Sequence, residues 1–221
     1  MGRKNPLVTG QVYHVFSRSI ADFKIFNKDS EYQRMIHLLY FFQIQQPPEK
    51  FSRFLNSALA QKIGFRTLLD LATKDQAKTV DIIAYCLMPT HIHLILKQLV
   101  ENGISKFMAN ILNSYTRYFN LVHDRKGPLW ESKFKNVLVG KDEQLAHLMR
   151  YIHLNPVTAS LVKKPEDWQY SSYMEYIDKD MSKICSLSDL ISISPIDYQK
   201  FVEDRIDYQR QLAMIKKLVL D

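Results

Sequence analysis

Residues 80–98 read VDIIAYCLMPTHIHLILKQ, and this stretch decides the fold. Val80 to Leu87 is a short, nearly continuous apolar run of strand length, and a second run, HIHLILKQ, follows after Met88 and Pro89. Two strands this close predict an antiparallel pair. Working outward toward the N-terminus, QVYHVFSRS at 11–19 alternates and is rich in β-branched and aromatic residues, which predicts another strand and then a loop through Ala21 and Asp22. Asp29 to Gln45 reads as a helix: Asp29 or Ser30 caps it, Met35, Leu38, Leu39 and Phe42 recur with helical spacing, and Pro47 and Pro48 end it. Residues 49–78 read as a helical insertion, with Phe51, Phe54, Leu55, Leu59 and Ile63 on one face and a second helix near Thr67 to Thr73.

Working outward toward the C-terminus, a long helix is predicted from Ile104 to Val122, then a turn at Lys126, Gly127 and Pro128 and a strand over KFKNVLVG at 133–140. A last core helix starts near Asp142 and is expected to stop around Asn155, because Pro156 biases the residue before it away from helical geometry. The order strand, helix, strand, strand, helix, strand, helix gives an α+β fold, a ferredoxin-like antiparallel sheet with helices packed on one face. The expected organisation is a core domain over 1–178, with the helical insertion at about 47–78, and a C-terminal helical tail over 179–221 that carries a charged amphipathic helix from Asp197 to Leu218.

A chain of 221 residues that is 46% hydrophobic can bury one real core. With two cysteines there is neither a disulfide framework nor a Cys-rich zinc site, and a reducing cytoplasm is the expected compartment. No run approaches the ~20 apolar residues that a bilayer requires, and none follows the basic start MGRKNPLVTG, so neither membrane nor secretion is expected. The formal charge of +7 raises the odds of a polyanionic partner. Arg117, Arg125, Lys126, Lys133 and Lys135 lie in one span with Tyr115, Tyr118, Phe119, Trp130 and Phe134, a mixture of phosphate-binding charge and base-stacking rings. The same pattern also describes a solvated helix face with its aromatic side in the core. Arg18, just after the first strand, is a further candidate DNA contact.

Two constellations carry chemistry. His91 and His93 lie two apart on a strand, so both imidazoles point to one face while Ile92 points into the core. Such a pair supplies two nitrogens to a metal from a rigid element, although His-x-His alone also arises from packing. Tyr151 and Asn155 in RYIHLNP lie one helical turn apart, with Tyr151 at the flank of the stripe Leu145, Leu148, Met149 and Ile152. Taken singly they read as a boundary tyrosine and a helix-ending asparagine. Taken with the histidines, two imidazoles and an amide oxygen suit a divalent cation with positions open for phosphate, beside a phenol able to act as nucleophile.

At this point the chain resembles the REP-associated tyrosine transposases, relatives of the single-tyrosine transposases of the HUH class and of the IS200-like transposases. The residues that carry the resemblance are YHVFSRS at 13–19, AYCLMPTHIHLIL at 84–96, YTRYFN at 115–120, LWESKFK at 129–135, YIHLNPV at 151–157 and WQYSSY at 168–173. The resemblance implies that His91, His93 and Asn155 hold Mg²⁺ or Mn²⁺ and that Tyr151 forms a 5′-phosphotyrosine during cleavage and joining of hairpin-containing single-stranded DNA, by a monomer or a homodimer. Ligand softness pulls the other way, since two imidazoles suit zinc or manganese better than magnesium. The insertion and the tail depart from the simplest family pattern and leave substrate details open.

Rival functions stand beside this one. A replication initiator or relaxase shares the His-x-His and tyrosine logic but would bring a motor motif, and a non-catalytic DNA-binding protein would need only the fold and the charge. A hydrolase of small phosphoesters would hold more carboxylates. Among other residues, Tyr115 reads as packing and Arg117 as a phosphate contact. His14 reads as structural, Glu131 as a surface carboxylate and His153 as a helix-face imidazole.

Overall fold

The computed structural model describes residues 6–180, 184–186, 193–209 and 211. Strands β1 (Val12–Arg18), β2 (Val80–Met88), β3 (His91–Gln98) and β4 (Lys135–Val139) form one sheet in the order β2-β3-β1-β4, antiparallel throughout. The helices are α1 (Asp29–Phe42), α2 (Phe51–Leu55), α3 (Ala58–Ile63), α4 (Phe65–Thr73), α5 (Gly103–Val122), α6 (Asp142–Thr158), α7 (Tyr173–Tyr176) and α8 (Pro195–Glu203). The α+β architecture with a ferredoxin-like strand order is therefore as the sequence predicts.

Strand alternation sorts the side chains into two cores. Tyr13 and Val15 of β1 and Ile92, Leu94 and Leu96 of β3 join Met35, Leu38 and Leu39 of α1 and Phe107, Met108 and Ile111 of α5. Val12, Ala84, Cys86 and Ile95 on the opposite face meet Leu145, Met149 and Ile152 of α6 and Tyr198 and Val202 of α8. Helices on one face thus describes α1 and α5, and α6 to α8 add a second layer. The run VDIIAYCLM already carries this, because continuous burial marks a strand covered on both sides. A register shift between Ile82 and Ala84 gives β2 its extra residue, so Ile82 and Tyr85 share a core that strict alternation would split between them.

The WQYSSY block docks on the outer edge of β2. Leu87 N donates to Tyr170 O at 2.9 Å, Ser172 N to Tyr85 O at 3.0 Å, and Trp168 Nε1 to Leu87 O at 3.1 Å. This covers an edge that would otherwise expose unpaired backbone.

Several boundaries differ from expectation. Helix α6 does not stop at Asn155 but runs through Pro156 to Thr158. Residues 154 to 157 are all buried there, so packing outweighs the local bias of the proline. In the insertion, Phe51, Phe54, Phe65 and Leu69 enter the first core, but Leu59 and Ile63 are exposed and Ala60 is buried instead. The helix stops after Leu55 and restarts at Ala58 behind a Ser57 cap, so α3 does not continue the face of α2 and the expected face is interrupted. The tail helix begins at Pro195 behind a Ser194 cap, and residues 206–209 are again helical; 210 and 212–218 lie outside the described residues. Cys86 and Cys185 are buried free thiols. No helix among the described residues is long and apolar enough to cross a membrane.

Candidate active site

The sheet face beneath α6 carries the candidate chemistry. In the β1–β3 register Arg18 pairs with His91 and Phe16 with His93, so alternation places His14, Phe16, Arg18, His91 and His93 on one face. A pocket of about 260 Å³ opens there, lined by Phe16, Arg18, His91, His93, Glu131 and Lys135. Helix α6 crosses this face and brings the Tyr151 ring to 6.0 Å from that of His93, at 81° between planes. Both rings belong to the same chain. Tyr151 is 43% exposed, whereas Asn155, one turn further along α6, is buried.

Each histidine is held at Nδ1. His91 Nδ1 lies 2.9 Å from Thr90 Oγ1, and His93 Nδ1 lies 3.0 Å from His14 Nε2. The two imidazole rings stand 4.9 Å apart and nearly perpendicular. Burial pushes the His91 pKa down to about 4, helped by the Arg18 charge, and burial followed by the charges of His91 and His14 holds His93 well below the usual range. Neutral imidazoles with one nitrogen engaged and the other unengaged are the form in which histidine binds metal. The Asn155 Nδ2 is buried without a partner. Because the two ends of an amide differ only by a half-turn, the orphaned position is equally a place for an oxygen directed at a cation. Among the described residues no three His, Cys, Asp or Glu side chains converge on a metal position. The two imidazoles in the pocket and the orphaned Asn155 amide on α6 are donors of the kind a divalent cation takes, although Asn155 does not line the pocket. Burial also raises the Tyr151 pKa, so its phenol is protonated at neutral pH.

The structure spreads the basic candidates. Lys135 and Arg18 line the pocket, and Arg18 Nε is paired with Asp22 at 2.7 Å. Lys133 lines a second groove, about 850 Å³, between α5 and the loop at 128–134, and Ser132 lines both cavities. Arg117 and Lys126 are exposed. Arg125 instead ties a loop, donating to Asn120 Oδ1 at 3.0 Å and Pro128 O at 2.7 Å. Tyr115, read as packing, is fully buried and its hydroxyl donates to Ile25 O at 2.5 Å.

Three other residues gain definite surroundings. His14, read as structural, touches a site histidine. Glu131 is exposed as expected and lines the pocket. His153, read as a helix-face imidazole, is fully buried, with Nδ1 2.6 Å from Tyr198 Oη and Nε2 2.8 Å from Ser172 Oγ. For His14 the available signal was β1 alternation, which puts it in phase with Arg18.

Fold and site together point to one class. The family model described as transposase IS200-like matches residues 66–155, a span that contains His91, His93, Tyr151 and Asn155. A Haemophilus influenzae protein described as a putative REP-associated tyrosine transposase is 32% identical over 104 residues, covering 42% of this chain and 58% of that protein. The chain thus matches little more than half the length of that relative. A solved structure, described as a REP-associated tyrosine transposase bound to a REP hairpin, aligns with a TM-score of 0.53 and 17% identity over 88% of this chain and 96% of that one. At that identity the structural likeness speaks to the fold. The resemblance read from the sequence is borne out by these matches.

Proposed function

We propose that this chain is a transposase that cleaves and rejoins single-stranded DNA at hairpin-bearing ends, with Tyr151 as nucleophile. The observation that carries the reading is Tyr151 standing half-exposed with its ring centroid 6.0 Å from that of His93, one of the two pocket histidines. In the reaction the Tyr151 Oη–P bond forms and the P–O3′ bond breaks. The phenol gives up its proton, the 3′ oxygen leaves as a hydroxyl, and the 5′ phosphate stays on the tyrosine. The ester conserves the bond, so a DNA 3′ hydroxyl can later attack and reseal without ATP.

His91 and His93 through Nε2, with the Asn155 amide oxygen, would hold Mn²⁺ or Mg²⁺; the nitrogen-rich donor set favours manganese. Such a cation supplies Lewis acidity that draws charge from the phosphate and favours the phenolate beside it. Lys135 and Arg18 add positive charge around the pocket for phosphate oxygens. The groove beside α5, with Lys133 on its wall and Ser132 shared with the pocket, offers a surface for the strand. The nearness of Tyr151 to His93 within one chain supports a site assembled in cis, whether the protein acts as a monomer or a homodimer. The hairpin substrate is supported by the solved structure of similar fold, a REP-associated tyrosine transposase bound to a REP hairpin.

The test is incubation of labelled single-stranded hairpin DNAs from the gene's flanks with Mn²⁺ or Mg²⁺, followed by denaturing gels. A metal-dependent covalent adduct is expected. Tight, salt-sensitive binding with no adduct on any strand would replace this reading with a non-catalytic DNA-binding protein.

A further inference from the structure

We propose that His14 is a positioning residue for His93: its Nε2 accepts the Nδ1–H of His93 and so fixes the tautomer in which His93 Nε2 offers a lone pair to a divalent cation. The inference rests on the metal-binding part of the proposed function. It starts from strand register. His93 pairs with Phe16, and His14 stands two residues along β1 on the same face, a diagonal neighbour across the ladder. The two imidazoles lie nearly parallel, 19° between planes with centroids 5.2 Å apart, and their nitrogens approach to 3.0 Å. Phe16 flanks both rings, at 5.1 Å from His14 and 6.0 Å from His93.

One proton lies between those nitrogens. If His14 Nε2 carries it, His93 must hold its own proton on Nε2 and has no lone pair for the pocket. If His93 Nδ1 carries it, Nε2 is free to bind. Only the second arrangement lets His93 serve as a ligand, and it requires His14 to keep its proton on Nδ1. His91 is held at Nδ1 by a different group, the Thr90 hydroxyl, which like His14 Nε2 can donate or accept. Metal-bound histidines ordinarily give their second N–H to a carboxylate, a carbonyl or water, which raises ligand basicity and fixes the ring. A neutral imidazole in that position fixes the ring with less polarisation, which suits a cation that is held but exchangeable.

The experiment compares wild type with His14→Phe, which keeps the ring but removes the acceptor, and His14→Gln, which restores an acceptor oxygen. Long-range ¹H–¹⁵N spectra of the metal-free protein read the His93 tautomer, Mn²⁺ titration followed by EPR reads affinity, and thermal midpoints check folding. Wild type is expected to carry the His93 proton on Nδ1. His14→Phe is expected to lose that preference and to bind Mn²⁺ roughly 10- to 100-fold more weakly, the usual scale for an outer-shell partner, with His14→Gln regaining most of both. A wild-type His93 protonated on Nε2 overturns the proposal, as does an unchanged tautomer in His14→Phe. Equal Mn²⁺ loss in both variants, with the tautomer intact, overturns it too. The tautomer is read without metal or DNA, so a wild type that binds no Mn²⁺ would defeat the metal assignment while leaving the role of His14 to be decided separately.

Discussion

Tyr151 combines two properties that pull against each other: it is open enough to meet a strand, yet burial raises the pKa of its phenol. As the proposed nucleophile it needs positive charge beside it, which Lys135 and Arg18 supply in the pocket and a cation on the histidines would add. Tyr151→Phe is expected to abolish the covalent adduct while changing hairpin affinity less than several-fold, read by a gel for the first and fluorescence anisotropy for the second. Tyr115→Phe should behave oppositely. Losing its hydrogen bond to Ile25 O costs about 1 kcal/mol of stability in urea unfolding, and the adduct persists. His91, His93, Tyr151 and Asn155 were legible because each pair rests on local periodicity, two along a strand or four along a helix. His14 was not, since its contact with His93 joins residues 79 apart and depends on which strands pair.

Helix α6 joins site to scaffold: Tyr151 stands beside His93 while His153, two residues on, is clamped between Ser172 and Tyr198. That clamp ties α6 to the segment along β2 and to α8. Removing its outer half with Tyr198→Phe is expected to lower stability by about 1–2 kcal/mol, since a buried imidazole nitrogen loses its partner; chemical denaturation measures it. Helix α5 is tied as closely at its start, where a side chain on Gly103 would place Cβ 2.4 Å from Thr79 O. Gly103→Ala should then cost about 1–3 kcal/mol, because backbone must move to admit the methyl group. The sequence located every strand and both long helices because their apolar periods are strong. It misplaced the end of α6 and the face of the insertion because those depend on burial around Pro156 and on the break between α2 and α3 at Asn56 and Ser57.

The whole molecule couples its buried histidines to pH. Burial lowers His153 to about 3 and His37 to about 4, both below the unfolded value of 6.5. With the folded values depressed, the unfolded chain binds more protons once the pH falls below 6.5, so stability is full above that value and declines toward acid. Between pH 7 and pH 5 His153 alone accounts for about 2 kcal/mol, and urea midpoints should fall accordingly, less steeply in His153→Gln. The net charge of +7 belongs to the same scale, and hairpin affinity is expected to fall linearly on a log–log plot against salt. The most direct test of the central claim is mass-spectrometric mapping of the protein–DNA adduct formed with Mn²⁺. A nucleotide phosphate on the peptide carrying Tyr151 is the predicted result, and a modification on another residue, or none on any flank-derived hairpin, contradicts it.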